Sequence, residues 1–517
     1  MEHMLVPQAF TYFVLLMCIL LVLFCHFFWL KLETIRLKFR RQGIRGPLPS
    51  FVLGNIPEML RITSMVPSSE TKNKDMMNKM SSFYSSVSLF QFFKQWTAQY
   101  GRTFLFELGT HQILYATDLQ LVKQISNFKS LDLGKPAYLH EDRGPLLGKG
   151  LISSTGSVWS HQRNTIAPQL YMEKVKDMVD VIVESACSLV KSWNSMVEIE
   201  GGVVELIVDD YVRNFTSTII SKMMFGNNYH VGMKLLPKCK ALVDAVDSPT
   251  MLDGTPFSRY LPTKKNRDAW RLEKETYKMI MDIVKKHNAS TSEDILQTIM
   301  KGAMKGELGS SSIDKVIVDN CKDVYIPGFE VAGVVAIWGL MLLASHPEWQ
   351  ARVRTEVQEI CGDQLPDANM LGRMRVLKMV IQEVIRLYPG AVFVARRAME
   401  DLKFGDTCVP KGVDIWIWTL ALHRDPEIWG PDADKFNPER FANGVFGACK
   451  FPQAYIPFGV GARMCPGQNL AMTELKVLFA LVISNFSLNI SPNYRHSPRF
   501  GLLLEPEHGV NLLIKKI

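Results

Sequence analysis

Apolar residues recur with a helical period of three to four along most of the chain, in segments around Lys174–Trp193, Asp209–Met224, Arg271–His287, Val316–Ser345, Pro347–Cys361 and Met370–Tyr388. Strand signals are short and few. The clearest is FLFELG followed by HQILYA between Thr103 and Ala116, which predicts a hairpin turning at Gly109-Thr110. No fixed-period repeat and no second Gly/Ser linker divides the body. The pattern predicts one large, mainly α-helical domain with small β-sheets. The polar stretch Ser68–Ser88 reads as a surface insertion or a poorly packed helix.

From Ala9 to Leu30 the chain has no charged residue. A helix rising ~1.5 Å per residue would carry that stretch across a hydrocarbon core of ~30 Å. The residues before it include no Lys or Arg, and no small-residue cleavage site follows, so a retained transmembrane helix is expected rather than a cleaved signal peptide. Lys31, Arg36, Lys38, Arg40, Arg41 and Arg45 come next, and the positive-inside rule places the rest of the chain in the cytosol. Gly46-Pro47-Leu48-Pro49 makes a stiff elbow. The expected organisation is a single-pass anchor over 1–30, a basic stem and Pro-rich hinge over 31–50, and a catalytic domain over 51–517.

Hydrophobic residues at 47% and charged residues at 21% leave ample material for a large core and exclude global disorder. The formal charge of +8 fits nucleic acid, an anionic membrane or an acidic partner. Its cations concentrate behind the apolar stretch and form no stripe interleaved with aromatics, which favours membrane lipid over nucleic acid. Nine scattered cysteines without CxxC pairs point to reduced thiols rather than a disulfide framework or zinc module.

The chemistry concentrates near the C-terminus, in Phe458-Gly459-Val460-Gly461-Ala462-Arg463-Met464-Cys465-Pro466-Gly467, followed by the helix-like QNLAMTELKVLFALVISNF. Glycines around one cysteine let the backbone pass close to a planar macrocycle and aim amide N–H groups at sulfur. A helix starting just after Cys465 brings its positive end near an anionic sulfur.

These residues resemble the cytochrome P-450 family, whose haem-binding pattern F-G-x-G-x-R-x-C-x-G is met at Phe458, Gly459, Gly461, Arg463, Cys465 and Gly467. The resemblance implies that family's fold, haem b as cofactor and Cys465 as axial ligand of the haem iron. It extends to Glu383 and Arg386 in VIQEVIRLYP, the family's E-x-x-R, and to Arg440 in Pro438-Glu439-Arg440-Phe441, together implying a structural cluster. Trp159 and Arg163 in WSHQR match its W-x-x-x-R, and Arg396 resembles its strand-borne arginine. With Arg463, these would hold the haem propionates. Where the family often has proline, this chain has Gly390.

The oxygen-activating helix departs from the family pattern A-G-x-[DE]-T-[TS]. This chain reads Pro327-Gly328-Phe329-Glu330-Val331-Ala332, so Gly328 and Glu330 fit the catalytic pattern while both hydroxyls are missing. Pro327 removes an N–H and favours a kink. A water held by Glu330 and a freed carbonyl can replace the hydroxyl in proton delivery. Four readings stay open: a working monooxygenase, a leaky one releasing peroxide, a reductase-independent enzyme rearranging a hydroperoxide or other oxygenated substrate, and a haem-binding pseudoenzyme.

The stem KLETIRLKFRRQGIRGPLPSFVLGNIPEM, with LASHPEWQARVRTEV and ALHRDPEIWGPDADKFNPERF, resembles the plant branch that includes gibberellin-modifying oxidases. That resemblance implies an endoplasmic reticulum enzyme inserting one atom of dioxygen into a gibberellin or related diterpenoid. Electrons would come from NADPH through the membrane-bound flavoprotein NADPH-cytochrome P-450 reductase. Tyr325, Phe329, Val392, Phe393 and Leu503 fall where the family lines its substrate pocket.

Overall fold

The computed structural model describes residues 2–65, 91–247, 254–255, 257–287, 294–306 and 311–517; the Ser68–Ser88 stretch lies outside these. The architecture is mainly helical, with the expected hairpin present as β1 (Thr103–Leu108) and β2 (His111–Ala116). Later strands are β3 (Leu133–Gly134), β4 (Val203–Ile207), β5 (Val394–Ala398), β6 (Leu402–Phe404), β7 (Thr407–Val409), β8 (Asp414–Ile417), β9 (Phe486–Ile490), β10 (Pro498–Phe500), β11 (Leu504–Pro506) and β12 (Asn511–Lys516). The largest sheet has the order β1-β2-β8-β5-β3, and a second, β4-β12-β9, joins the middle of the chain to its C-terminus. That second sheet pairs residues more than three hundred positions apart, so no local turn signal announced it.

Ile313–Ser345 forms one 33-residue helix through the centre of the domain. It is apolar on all sides because protein surrounds it: the helix Asp209–Phe225 packs along it, with Gln468–Asn485 and Arg375–Leu387 also against it. Four of its polar residues are spent on one neighbour, the loop 145–152. Asp319 accepts from the Lys149 N–H at 2.9 Å, Asn320 from Leu151 at 3.1 Å and Asp323 from Ile152 at 2.7 Å, while Lys322 donates to the Pro145 carbonyl at 3.0 Å. The loop needs glycine to come this close. A Cβ on Gly148 would stand 2.1 Å from the Asp319 carboxyl carbon, and its φ is +54°.

This helix also corrects the expected N-terminal transmembrane helix. Among the described residues, the one helix long and apolar enough to cross a membrane is Ile313–Ser345, which is buried inside the protein. Length and apolarity are shared by membrane spans and by core helices, so they do not distinguish the two. The N-terminal segment instead forms a single helix, Glu2–Arg41, unbroken between the apolar stretch and the basic stem. Its second half is docked on the domain: Phe39 is fully buried, Arg36 pairs with Glu33 and with Glu107 (2.6 Å), and Gln112 donates to the Leu32 carbonyl at 2.7 Å.

Candidate haem site

Cys465 sits between a tight loop and the helix Gln468–Asn485, which starts three residues after it. The Cys465 N–H donates to the Phe458 carbonyl at 2.8 Å, closing the loop. Gly459 and Gly461 have φ of +77° and +69°, and a Cβ on Gly461 would lie 3.0 Å from the Ser126 carbonyl oxygen. Burial raises the Cys465 thiol; the Gly467 backbone N–H and the Arg163 guanidinium act in the opposite direction. Even so, Gly461, Ala462, Met464 and Cys465 face open space, so the loop presents one free surface.

Around that surface the chain gathers positive charge. Arg163 donates to the Met464 carbonyl at 2.7 Å, Arg396 to Val460 at 3.0 Å and Arg463 to Ser154 at 3.0 Å. Arg463 also lies 4.2 Å over the Trp159 ring. Among the described residues none of the three arginines has a carboxylate partner, and Arg463 keeps one buried N–H group unsatisfied. Burial pulls Arg396 down to about 10; burial, then Arg396 and Arg163, pull Arg463 down to about 9. An orphaned guanidinium group within a cluster of like charges calls for a polyanionic ligand. The two propionates of haem b would meet that need, and Cys465 would supply its thiolate, so the residues present fit the group.

Sequence reasoning missed a fourth basic side chain. Lys135, directly after β3, is held well below the ordinary lysine range by burial and by Arg396 and Arg463, with Asp323 opposing. A lone Lys-Pro dipeptide carries no motif; only the pairing of β3 with β5 brings it beside Arg396. Lys135→Met is expected to speed haem loss to apomyoglobin several-fold while leaving the apoprotein melting temperature within a few degrees. An unchanged transfer rate would remove Lys135 from the propionate site.

The E-x-x-R pair and Arg440 do come together. Arg386 grips Glu383 through two bonds of 2.6 and 2.7 Å and donates to the carbonyls of His423, Ala433 and Lys435; both side chains are fully buried. Arg440 reaches Glu383 at 3.5 Å but spends its fork mainly on Asp432, at 3.0 and 2.7 Å. His423 fixes its tautomer here: its Nε2 accepts from the Ile456 N–H at 3.0 Å, so Nδ1 donates to the Arg386 carbonyl at 3.1 Å.

Burial and Arg386 push His423 down to about 3, and burial pushes His496 down to about 4. Both lie below the ordinary 6.5, so the unfolded chain takes up protons first. Their stabilisation is complete above pH 6.5 and fades as pH falls through 4 and 3. Moving from pH 7 to pH 5 is expected to cost about 2 kcal/mol for each histidine, read as a lower urea midpoint. Equal midpoints at the two pH values would refute this.

The expected distal residues are divided among several roles. Gly328 faces the helix Asp209–Phe225, where a Cβ would stand 2.6 Å from Ile220. Glu330 pairs with Arg213 on that helix, and Arg213 bonds Glu505 at 2.9 Å. Burial raises the Glu330 carboxyl, while Arg213 and Lys240 oppose the shift. Beside it is a 160 Å³ polar cavity lined in part by Lys240, Asp244, Asp247 and Glu505. Arg213 carried no sequence signal. Thr216, one turn after Arg213, donates to the Phe329 carbonyl at 2.9 Å.

Of the expected pocket residues, Tyr325 and Phe329 lie buried against one another. The Tyr325 hydroxyl donates to the Gly232 carbonyl at 2.8 Å and meets Ser221 at 2.9 Å, and the two rings stand edge to face. Phe393 stacks on Trp416 and Trp418, Val392 is buried, and Leu503 borders the Glu330 cavity.

The sequence profile of the family described as cytochrome P-450 matches residues 57–513. This chain belongs to that family. Its relatives include cytochrome P-450 714C2 of Oryza sativa subsp. japonica, 46% identical over 508 residues that cover 97% of each chain. Cytochrome P-450 714B2 of the same organism is 40% identical over 501 residues, 95% of this chain and 93% of the relative. Cytochrome P-450 714A2 of Arabidopsis thaliana is 40% identical over 492 residues, 92% of each. The chain is thus a haem-thiolate monooxygenase of this plant branch, using haem b and electrons that originate from NADPH. A reductase partner and a small hydrophobic substrate belong to the family as a whole, and association with the endoplasmic reticulum membrane is consistent with it.

Proposed function

We propose that the enzyme hydroxylates or epoxidises a gibberellin or related diterpenoid at an unactivated carbon. It works at the cytosolic face of the endoplasmic reticulum and takes electrons from the membrane-bound NADPH-cytochrome P-450 reductase. The observation that carries the reading is the likeness to the 714 branch along nearly the whole chain, 97% of it in the rice relative. The apolar Val392, Phe393 and Leu503 suit a terpenoid surface. Cys465 is the thiolate ligand, and Trp159, Arg163, Arg396 and Arg463 hold the propionates, with Phe458, Gly461 and Gly467 shaping the loop.

Haem b, when bound, supplies oxygen activation. The protein's part is to hold the group and to manage protons. Glu330 is the acid nearest that task, and its ion pair with Arg213 ties proton supply to the polar cavity beside it. Reconstitution with reductase, NADPH and a panel of gibberellins tests the reading, scoring product and peroxide together. An oxygenated gibberellin is expected, and NADPH consumption with no product from any member of the panel would overturn the substrate class.

A further inference from the structure

Gly390 is a glycine for which the backbone gives no reason. It is buried, and it is not among the glycines with positive φ, so any residue could adopt its backbone conformation. What demands glycine is space. A Cβ built there would lie 2.4 Å from Val331 Cγ1 and 3.7 Å from Val335 Cγ2. Val331 is half-buried on the central helix, and a β-branched side chain on a helix has essentially one χ1 rotamer to use. Its methyl therefore occupies the volume that a side chain at 390 would fill and has little freedom to move away.

Gly390 also begins the segment that leads through Val392 and Phe393 into β5 and Arg396. The Leu420 N–H holds that segment by donating to the Val392 carbonyl at 3.1 Å, and Phe393 is pinned against Trp416 and Trp418. The segment is fixed on its far side, so overlap at Gly390 must be taken up by the central helix or by the Val331 rotamer.

We propose that Gly390 is a positioning residue for Val331: its missing side chain seats the valine and thereby sets the spacing between the central helix and the Val392–Phe393 wall, which decides how bulky a ligand fits between them. This rests on the reading of that wall as substrate-facing, but not on the substrate being a gibberellin.

The test is a double-mutant cycle on full-length, haem-loaded protein, with Gly390→Ala, Val331→Ala and the double variant. The readouts are the optical dissociation constants of imidazole and of a bulky aryl azole, so no turnover is needed. Gly390→Ala alone is expected to weaken the aryl azole about fivefold or more while imidazole changes less than about twofold. In the Val331→Ala background the same substitution should change neither by more than about twofold. Equal effects in both backgrounds would overturn the proposal. If Gly390→Ala alone does not fold, recovery of folded protein in the double variant supports the seat, and failure of both overturns it. Loss of gibberellin turnover with the azole coupling intact would count against the substrate class alone.

Discussion

Replacing Arg386 with methionine is expected to leave no stably folded domain. The guanidinium makes two bonds to Glu383 and supplies the carbonyls of His423, Ala433 and Lys435 with donors, the first two of them away from water. Methionine fills similar volume but leaves the buried Glu383 carboxylate with the Asn437 N–H at 2.9 Å and a long contact from Arg440. Removing one partner of a buried ion pair costs about 3–5 kcal/mol, and stranded carbonyls add about 1–3 kcal/mol each. That sum reaches the whole stability of an ordinary domain, about 5–15 kcal/mol. Soluble yield and a circular dichroism melt check it; a melting temperature within a few degrees of wild type would show that the cluster bears little of the fold.

How far this could be read in advance depended on how local each feature is. Glu383 and Arg386 are three residues apart on one helix, and the Cys465 loop is ten consecutive residues, so pattern alone revealed both. The central helix and the β1–β2 hairpin were legible for the same reason, since each has its own periodicity. Arg213 and Lys135 were not. Their meaning comes from Glu330, 117 positions away, and from a strand pairing that brings 134 beside 397. Tyr325 and Phe329 were placed in a substrate wall by the family resemblance, and their edge-to-face packing was not legible, because an all-apolar helix does not tell from its sequence which face meets another helix. The N-terminal reading failed on the same ambiguity, because uncharged length describes a membrane span and the core helix Ile313–Ser345 equally well.

Cys465→Ser is expected to abolish the thiolate-type Soret band of the reduced carbon monoxide complex, together with all monooxygenase activity. A serine hydroxyl does not ionise under the influence that the Gly467 N–H and Arg163 exert on the thiol, so no anionic donor remains at the axial position. The fold should hardly notice. The bond that closes the loop is made by the Cys465 backbone N–H to Phe458, which serine keeps. The apoprotein melting temperature should therefore stay within a few degrees. Residual binding of the macrocycle should also survive if, as proposed, Arg163, Arg396, Arg463 and Lys135 would hold the propionate end independently of sulfur. The variant thus separates two functions that the site combines: retention by a cationic rim and reactivity through one thiolate. A variant that loses the macrocycle entirely would show the rim to be too weak to hold it alone, whereas an unchanged Soret band would remove Cys465 as the ligand.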